Sequence, residues 1–499
     1  MKYILNFIFF VLFSIKSINA QIPQFVNILK SNQHLSAFSA LEYNNHYYFN
    51  VFRGNINSQN RNSTTIVYKT NLNGNIEDSI LLYENNNIDT CYAFVNTVVL
   101  NQNLLGLYGN RFTINSINGN VTDEYYLSHF LDTNLNIVYT NTQLYGDTSK
   151  IYSFLNTIKI KNKIYHLIII KNALGLPDNK VHILDTLGNF IKHTHYPDNN
   201  YASSTNYIIQ HPNNKDLISS VLHHGFWQLV YTDSDYNFIR TDSVNVGWLA
   251  PDNVGIMPFN NSEMLMYSTM YSITNSPDSI CAYRVDTNNN LIKKTCIAPP
   301  NHASQFTSAN LGLKTCDKVN NNNIYLGGVY NGDPYILYSS IFTISNLDSN
   351  LNVRWTKSFE DSYSYLFYNY TATSDGGCIL IGLYNSDTSR SSLNKHIEPV
   401  ILKIDSTGTI TSLINFSNNL NHQVLAYPNP STTTISFVVS NQLDNATATI
   451  FSSNGQYVKS FIVHHGENVQ NISTLPIGNY FYEIVNKKGE KANGKFSKK

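Results

Sequence analysis

The chain has 499 residues, of which only 13% are charged, with 33 basic and 33 acidic side chains and a formal net charge of zero. Soluble domains average about 25% charged residues, so Asn, Ser and Thr fill the polar positions here, and the absence of a basic or acidic field gives no reason to expect a nucleic-acid partner. The length allows about three ordinary domains or one large repeat fold. Partners would have to be met through neutral polar and aromatic surface.

Residues 1–20 read as a signal peptide. Lys2 supplies the positive start, Ile4 to Ile15 a short apolar run, and Ile18-Asn19-Ala20 a small-residue cleavage site before Gln21. That run is short for a bilayer span, and no later stretch reaches about 18 apolar residues. The expectation is an exported chain with no transmembrane segment once the signal is removed.

From residue 21 to 417 two turn types alternate. One is a hairpin that begins with Asp or Asn and carries an apolar strand on each side, at Asn71, Asp132, Asp185, Asp233, Asp286, Asp348 and Asp405. Asx side chains bond their own backbone at a turn, and Gly or Asn tolerates the positive φ that a tight hairpin needs. The other is a polar turn leading into a nearly continuous apolar strand, as in Asn44-Asn45-His46-Tyr47 and Asn321-Asn322-Asn323-Ile324. It also occurs seven times. The Asx turns lie 48 to 62 residues apart, about 56 on average, so each module holds two hairpins, or four strands.

A lone four-stranded module cannot bury both faces, and radial stacking solves this while shortening exposed edges. The predicted fold is all-β: a seven-bladed β-propeller followed by a small C-terminal Ig-like β-sandwich. Segments such as 196–204, 332–340 and 387–398 are expected to connect blades. Neither the Trp-Asp repeat nor a regular double-glycine signature is present.

Five cysteines leave at least one unpaired. Cys281 and Cys296 flank the hairpin at Asp286 symmetrically, and cross-strand Cα spacing lies within disulfide range, so this is the candidate bridge. The competing reading makes Cys91, Cys281, Cys296, Cys316 and Cys378 small buried residues.

Residues 418–423 read as a linker, and 424–499 change pattern: short strands, Asn454-Gly455 as a type I′ turn, and a turn at Pro476 to Gly478. Four ordered motifs stand here: Ala426-Tyr427-Pro428-Asn429-Pro430-Ser431, Ile450-Phe451-Ser452-Ser453-Asn454-Gly455, Leu475-Pro476-Ile477-Gly478-Asn479-Tyr480-Phe481-Tyr482, and Gly494-Lys495-Phe496-Ser497-Lys498-Lys499. Together they resemble the C-terminal type A sorting domain of type IX secretion cargo, with Phe481 a departure from the smaller apolar residue many relatives carry. The resemblance implies partners in the type IX machinery and a sorting peptidase, passage via the periplasm, release or tethering at the outer-membrane surface, and a host resembling the Bacteroidota. The prolines hold the start of the domain extended, Gly478 permits a turn feeding Tyr480 into the core, and Lys495 and Lys498 form a basic terminal strand for a receptor.

Chemistry is harder to find. Asp233-Ser234-Asp235-Tyr236-Asn237 begins like a calcium loop but has Phe238 at the sixth position and Val244 at the twelfth, where Gly and Glu are needed. Turn capping is the reading for the repeated Asp residues. His193 and His195 share a strand face without an assignable third ligand, while adjacent pairs His223-His224 and His464-His465 cannot chelate together from a regular strand. No metal and no cofactor is expected. Nucleophile and phosphate-loop motifs are missing, so catalytic residues cannot be assigned. Tyr363, Tyr365, Tyr368 and Tyr370 are candidate ligand-contact aromatics, suited to a glycan or protein ligand, against the alternative that they wedge between blades. The functional expectation is a binding or adhesion module at the cell surface or outside. The rivals are a polysaccharide hydrolase or lyase with paired carboxylates at the central channel, and a structural surface component.

Overall fold

The structure, a computed structural model, describes residues 26–28, 34–54, 63–82, 90–114, 121–144, 151–171, 177–195, 207–223, 226–244, 250–271, 279–298, 314–330, 341–360, 364–385, 397–409, 413–414, 424–427, 431–439, 443–489 and 491–499. Among these the regular elements are β-strands, with no α-helix. Among the described residues no helix is long and apolar enough to cross a membrane. The signal segment, the linker and Pro428 to Pro430 lie outside the described residues.

Six antiparallel four-stranded units, 34–82, 90–144, 151–195, 208–244, 250–297 and 316–360, follow one another, and a seventh at 364–414 belongs to a five-stranded sheet. We number them one to seven. The sheets of units one and two are joined edge to edge by one parallel bridge, Ser63 to Cys91. In unit seven the third strand, Ile397–Ile404, pairs with Val26–Ile28 from the start of the chain, and Leu413–Ile414 lies beyond it in parallel. The N-terminal strand therefore completes the last sheet.

Packing explains why the units are adjacent. Apolar clusters fall between neighbours, since each sheet exposes two faces that water disfavours. Tyr48, Val67 and Leu82 of unit one meet Leu105, Leu107 and Leu127 of unit two. Tyr108 and Phe130 meet Ile164 and Leu184 of unit three, whose Leu167 and Val181 meet Leu217 and Val230 of unit four. One large cluster spans units four to six, and another joins six to seven. Tyr47, Phe49 and Val51 of unit one then pack with Ile379, Ile381 and Ile401 of unit seven. The circuit of contacts returns to its start, which is a propeller-like arrangement. Full burial of such side chains is worth about 1.5 to 3 kcal/mol each.

The Asx turns share one geometry. At Asp185, Oδ1 accepts from the amides of Leu187 and Asn189 at 2.8 Å, and Oδ2 from Asn189 Nδ2 at 2.8 Å. Asp132, Asp233, Asp286 and Asp348 repeat the pattern. At Asp233 burial alone would raise the carboxyl, but hydrogen bonds from Asn237 and the amides of Asn237 and Asp235 outweigh it and hold its pKa below the ordinary value.

The fourth turn residue is left-handed in every copy, at Gly74, Leu135, Gly188, Tyr236, Asn289, Leu351 and Gly408. Leu and Tyr pay a steric cost there, and the sequence pattern did not foresee them. They are tolerated because Leu135, Tyr236 and Leu351 are buried, at 4%, 1% and 0% exposed.

A further regularity was not legible in the sequence. The carbonyl just after the turn Asp accepts a hydrogen bond from the preceding unit: Thr133 from Tyr48 Oη at 3.0 Å, Ser234 from Tyr165 Oη at 2.9 Å, Ser349 from Arg284 Nη1 at 2.7 Å, and Ser406 from Trp355 Nε1 at 2.8 Å. Each such turn thus latches its unit to its neighbour.

Two expectations need correction. Segments 331–340 and 386–396 join the second and third strands of their own units rather than successive units. Asn454-Gly455 is not a type I′ turn, because Gly455 has φ 79° but Asn454 is not among the described residues of positive φ. The amide of Gly455 donates to Ser452 O, and the pairing shifts register after Ile450, so this is a bulged turn like the Asx hairpins. The two-residue Asn44-Asn45 turn, with φ of 49° and 60°, does fit the I′ geometry.

Residues 425–498 form two small antiparallel sheets, one of three strands and one of four. Ile435, Phe437 and Val439 of the first share a core with Ala448, Ile450, Tyr482, Ile484 and Phe496 of the second.

Candidate functional site

The first strand of each unit contributes to one cavity of ≈ 330 Å³. Its wall divides by chemistry around the ring. Units seven, one and two supply Asn369, Thr371, Ser39 and Thr97. Unit three supplies Thr157 beside Ile158. Units four and five supply an apolar sector of Tyr207, Ile208, Ile209, Ile256 and Met257, and unit six supplies Lys314 and Asp317.

The polar groups are held by residues behind them. Thr97 Oγ1 donates to Asn50 Oδ1 at 2.7 Å, and Thr371 Oγ1 donates to Ala40 O at 3.3 Å. Both hydrogens are thereby committed to the wall, so these oxygens face the cavity as acceptors. Thr157 Oγ1 lies 2.6 Å from His166 Nδ1, opposite it on the neighbouring strand. His166 is fully buried, and burial lowers its pKa to about 3, so its ring is neutral.

Lys314 Nζ is 2.7 Å from Asp317 Oδ2, which also accepts the amide of Ala372 at 2.9 Å. The pair is partly accessible, with side chains 30% and 19% exposed. Asp317 is the sole carboxylate among the described lining residues. Hydrolysis of a glycosidic bond uses two carboxyl groups roughly 5 to 9.5 Å apart, and the described wall offers one, already neutralised by a lysine. Burial raises the phenols of Tyr207 and Tyr267 well above their usual value, so both are neutral hydroxyls. Their rings meet edge to face at 5.8 Å. Gly255 leaves room for this, since a Cβ there would lie 2.1 Å from the Tyr267 ring.

None of the described residues singled out from the sequence lines this cavity. Tyr370 is 0% exposed and packs with Phe342 and Phe367 in the core between units six and seven, so it is no ligand contact in the folded protein. A register shift between Phe367 and Asn369 turns Asn369 to the cavity while Phe367 and Tyr370 face the core. The side chains of Tyr365 and Tyr368, and all of Tyr363, lie outside the described residues. His193 is exposed on an outer strand opposite His182, and the side chain of His195 is outside the description. Cys281 and Cys296 face each other across their hairpin and are joined by a disulfide. Cys316 and Cys378 are free and buried, and the side chain of Cys91 is not described. What sequence reasoning missed is the cavity wall. Its faint signal was the Lys-x-x-Asp spacing of 314 and 317 at the start of an inner strand.

In the tail, Tyr427 ends the strand Leu425–Tyr427 and Gly455 sits at its bulged turn. Tyr480 Oη donates to Pro476 O at 2.7 Å, and the Tyr480 ring stacks on Phe496 at 5.3 Å, so the turn before Gly478 is pinned to the core. Of the two lysines expected to present a basic strand, Lys495 is exposed, but Lys498 is 8% exposed and its amine donates to Lys499 O at 2.7 Å. Alternation along the strand sends residue 498 to the inner side with Phe496. Lys495 is the one presented.

Residues 425–499 match the family model of the secretion system C-terminal sorting domain. No curated protein matches the chain. Among solved structures, the β-propeller domain of the Trilobed protease from Pyrococcus furiosus is similar with 10% identity and a TM-score of 0.41, over 77% of this chain and 99% of that one. Acylaminoacyl peptidase from Pyrococcus horikoshii gives 10% identity and 0.40, over 83% of this chain but only 59% of the peptidase. An exo-β-1,3-galactanase from Phanerochaete chrysosporium gives 11% and 0.35, over 63% and 90%. Similarities at this level say nothing of activity. The tail at 425–499 carries the match to a secretion sorting domain, and the chain is an exported, all-β protein of propeller-like build.

Proposed function

We propose that this protein is an exported binding module that works at the cell surface or outside it. In this reading residues 1–20 are a signal peptide, 21–417 a seven-bladed β-propeller, 418–423 a linker and 424–499 an Ig-like sorting sandwich. The tail hands the chain from the periplasm to the type IX machinery and its sorting peptidase, in a host resembling the Bacteroidota, and the propeller does the binding.

The observation that carries this is the central cavity. Its described wall combines hydroxyls held in place from behind, an apolar sector and one neutralised carboxylate, which equips it to hold a ligand better than to break a bond. Preformed concave sites with a few placed polar groups on an apolar wall are the usual form of a small-ligand pocket.

The test is a panel of glycans, polysaccharides, amino acids and short peptides presented to the purified protein, with product analysis on every hit. Binding with the ligand recovered intact supports the proposal. New reducing ends or unsaturated products would replace it with the hydrolase or lyase reading, and silence on the whole panel would turn attention to self-association.

A further inference from the structure

We propose that the central cavity takes a small zwitterion with an apolar side chain, of the class of a free aliphatic amino acid or a dipeptide. This rests on the reading of the cavity as a binding site and adds the chemistry of its occupant.

Four observations converge. The Lys314 ammonium has three hydrogens, and among the described residues Asp317 is its one ion-paired or hydrogen-bonded partner. Asp317 uses Oδ2 for both Lys314 and the Ala372 amide, while Oδ1 makes no hydrogen bond among the described residues. One unspent cationic donor and one unspent carboxylate oxygen therefore stand side by side, with no net charge. A neutral ligand carrying both signs satisfies them without leaving either charge unpaired, whereas a simple anion or cation satisfies one alone.

The hydroxyls sort in the same way. Thr97 and Thr371 offer lone pairs to the cavity because their hydrogens are held by Asn50 and Ala40. Thr371 adjoins Ala372, whose amide donates to Asp317, so an acceptor on this side suits a ligand ammonium, which is all donor. Ser39, 5% exposed, lines the same sector, and its hydroxyl makes no hydrogen bond among the described residues.

Units four and five, which precede unit six in the ring, bring Ile208, Ile209, Ile256 and Met257 to the cavity as a wall that can bury an aliphatic side chain. The volume of ≈ 330 Å³ lies at the lower end of the range of roughly 300 to 1,000 Å³ typical of small-molecule pockets. It is large enough for one amino acid or a dipeptide. The ligand carboxylate would meet Lys314, its ammonium Asp317 Oδ1 with Thr371, and its side chain the Ile and Met wall.

Isothermal titration calorimetry of the full chain at pH 7 tests this with L-leucine, leucyl-leucine, L-leucinamide, N-acetyl-L-leucine, glycine and cellobiose. We expect leucine or leucyl-leucine to bind, and the analogues lacking one charge, like glycine, to bind at least about tenfold more weakly, the scale of one charge-assisted hydrogen bond. Lys314→Gln should erase the preference for leucine over leucinamide, and Asp317→Asn that for leucine over N-acetyl-leucine, with circular dichroism confirming that each variant folds. Equal affinity for leucine and both blocked analogues would overturn the proposal. Cellobiose binding without leucine would also overturn it while leaving the binding module standing. If nothing binds while the glycan panel also stays silent, both readings fail together.

Discussion

The buried histidines make the stability of this protein steeply sensitive to mild acid. His129 and His166 are 3% and 0% exposed, and burial lowers their pKa values to about 4 and about 3 from an ordinary 6.5. In the folded chain both rings stay neutral at pH 5, while in the unfolded chain both take up a proton below about 6.5. The unfolded state binds more protons, so stability falls as the pH drops through 6.5 and goes on falling until the folded values are reached. One pH unit is worth about 1.4 kcal/mol per group, so going from pH 7 to pH 5 removes about 2 kcal/mol for each ring, or about 4 kcal/mol together. The carboxylates of Asp233, Asp286 and Asp348 are held below their ordinary range, so their contribution is lost at lower pH than this window. Urea unfolding followed by tryptophan fluorescence reports residues outside the tail alone, because all three tryptophans, Trp227, Trp248 and Trp355, precede it. His166→Gln should reduce the loss between pH 7 and pH 5 by about 2 kcal/mol. A flat profile over that window, or an unchanged slope in the variant, would refute the reasoning.

Asp185→Ala removes three hydrogen bonds from its turn and should cost about 1 to 2 kcal/mol, comparable with the loss of a helix cap, readable as a lowered urea midpoint with ligand affinity unchanged. Leu351→Gly relieves a left-handed φ of 57° but empties a fully buried site. Since the steric cost is about 1 to 2 kcal/mol and loss of a buried Leu side chain costs about 2 to 5, the variant should be destabilised by about 2 kcal/mol, and a stabilised one would show that burial does not hold that turn. Cys316 and Cys378 are buried and their thiol pKa values are pushed up by burial, so peptide mapping after iodoacetamide should find both unmodified in the native protein and both modified in urea.

The repeating hairpins were legible because they solve a local problem. An Asx side chain caps its own turn whatever surrounds it, so Asp132, Asp185 and their counterparts announce themselves in sequence. The disposition of four-stranded units follows from their spacing. The latches between units were not legible, because Tyr165 and Ser234 meet only after two sheets have packed. Leu351 at positive φ was hidden for a related reason: its tertiary burial overrides a local preference. The cavity was hidden most thoroughly. Ser39, Thr97, Lys314 and Thr371 are separated by long stretches of chain and brought together by the ring, and no motif links them. Tyr370 misled in the opposite direction, since aromatic clustering on a strand marks a packed core as readily as an exposed platform.

The most direct test of the account is whether ligands compete for the central cavity. Saturation-transfer NMR would compare a mixture of amino acids, short peptides and oligosaccharides with the native protein and with Met257→Trp, whose indole would fill the space beside Ile256. The account predicts signals from at least one component with the native protein and their loss in the folded variant. Signals of equal strength in both would place binding elsewhere and contradict it.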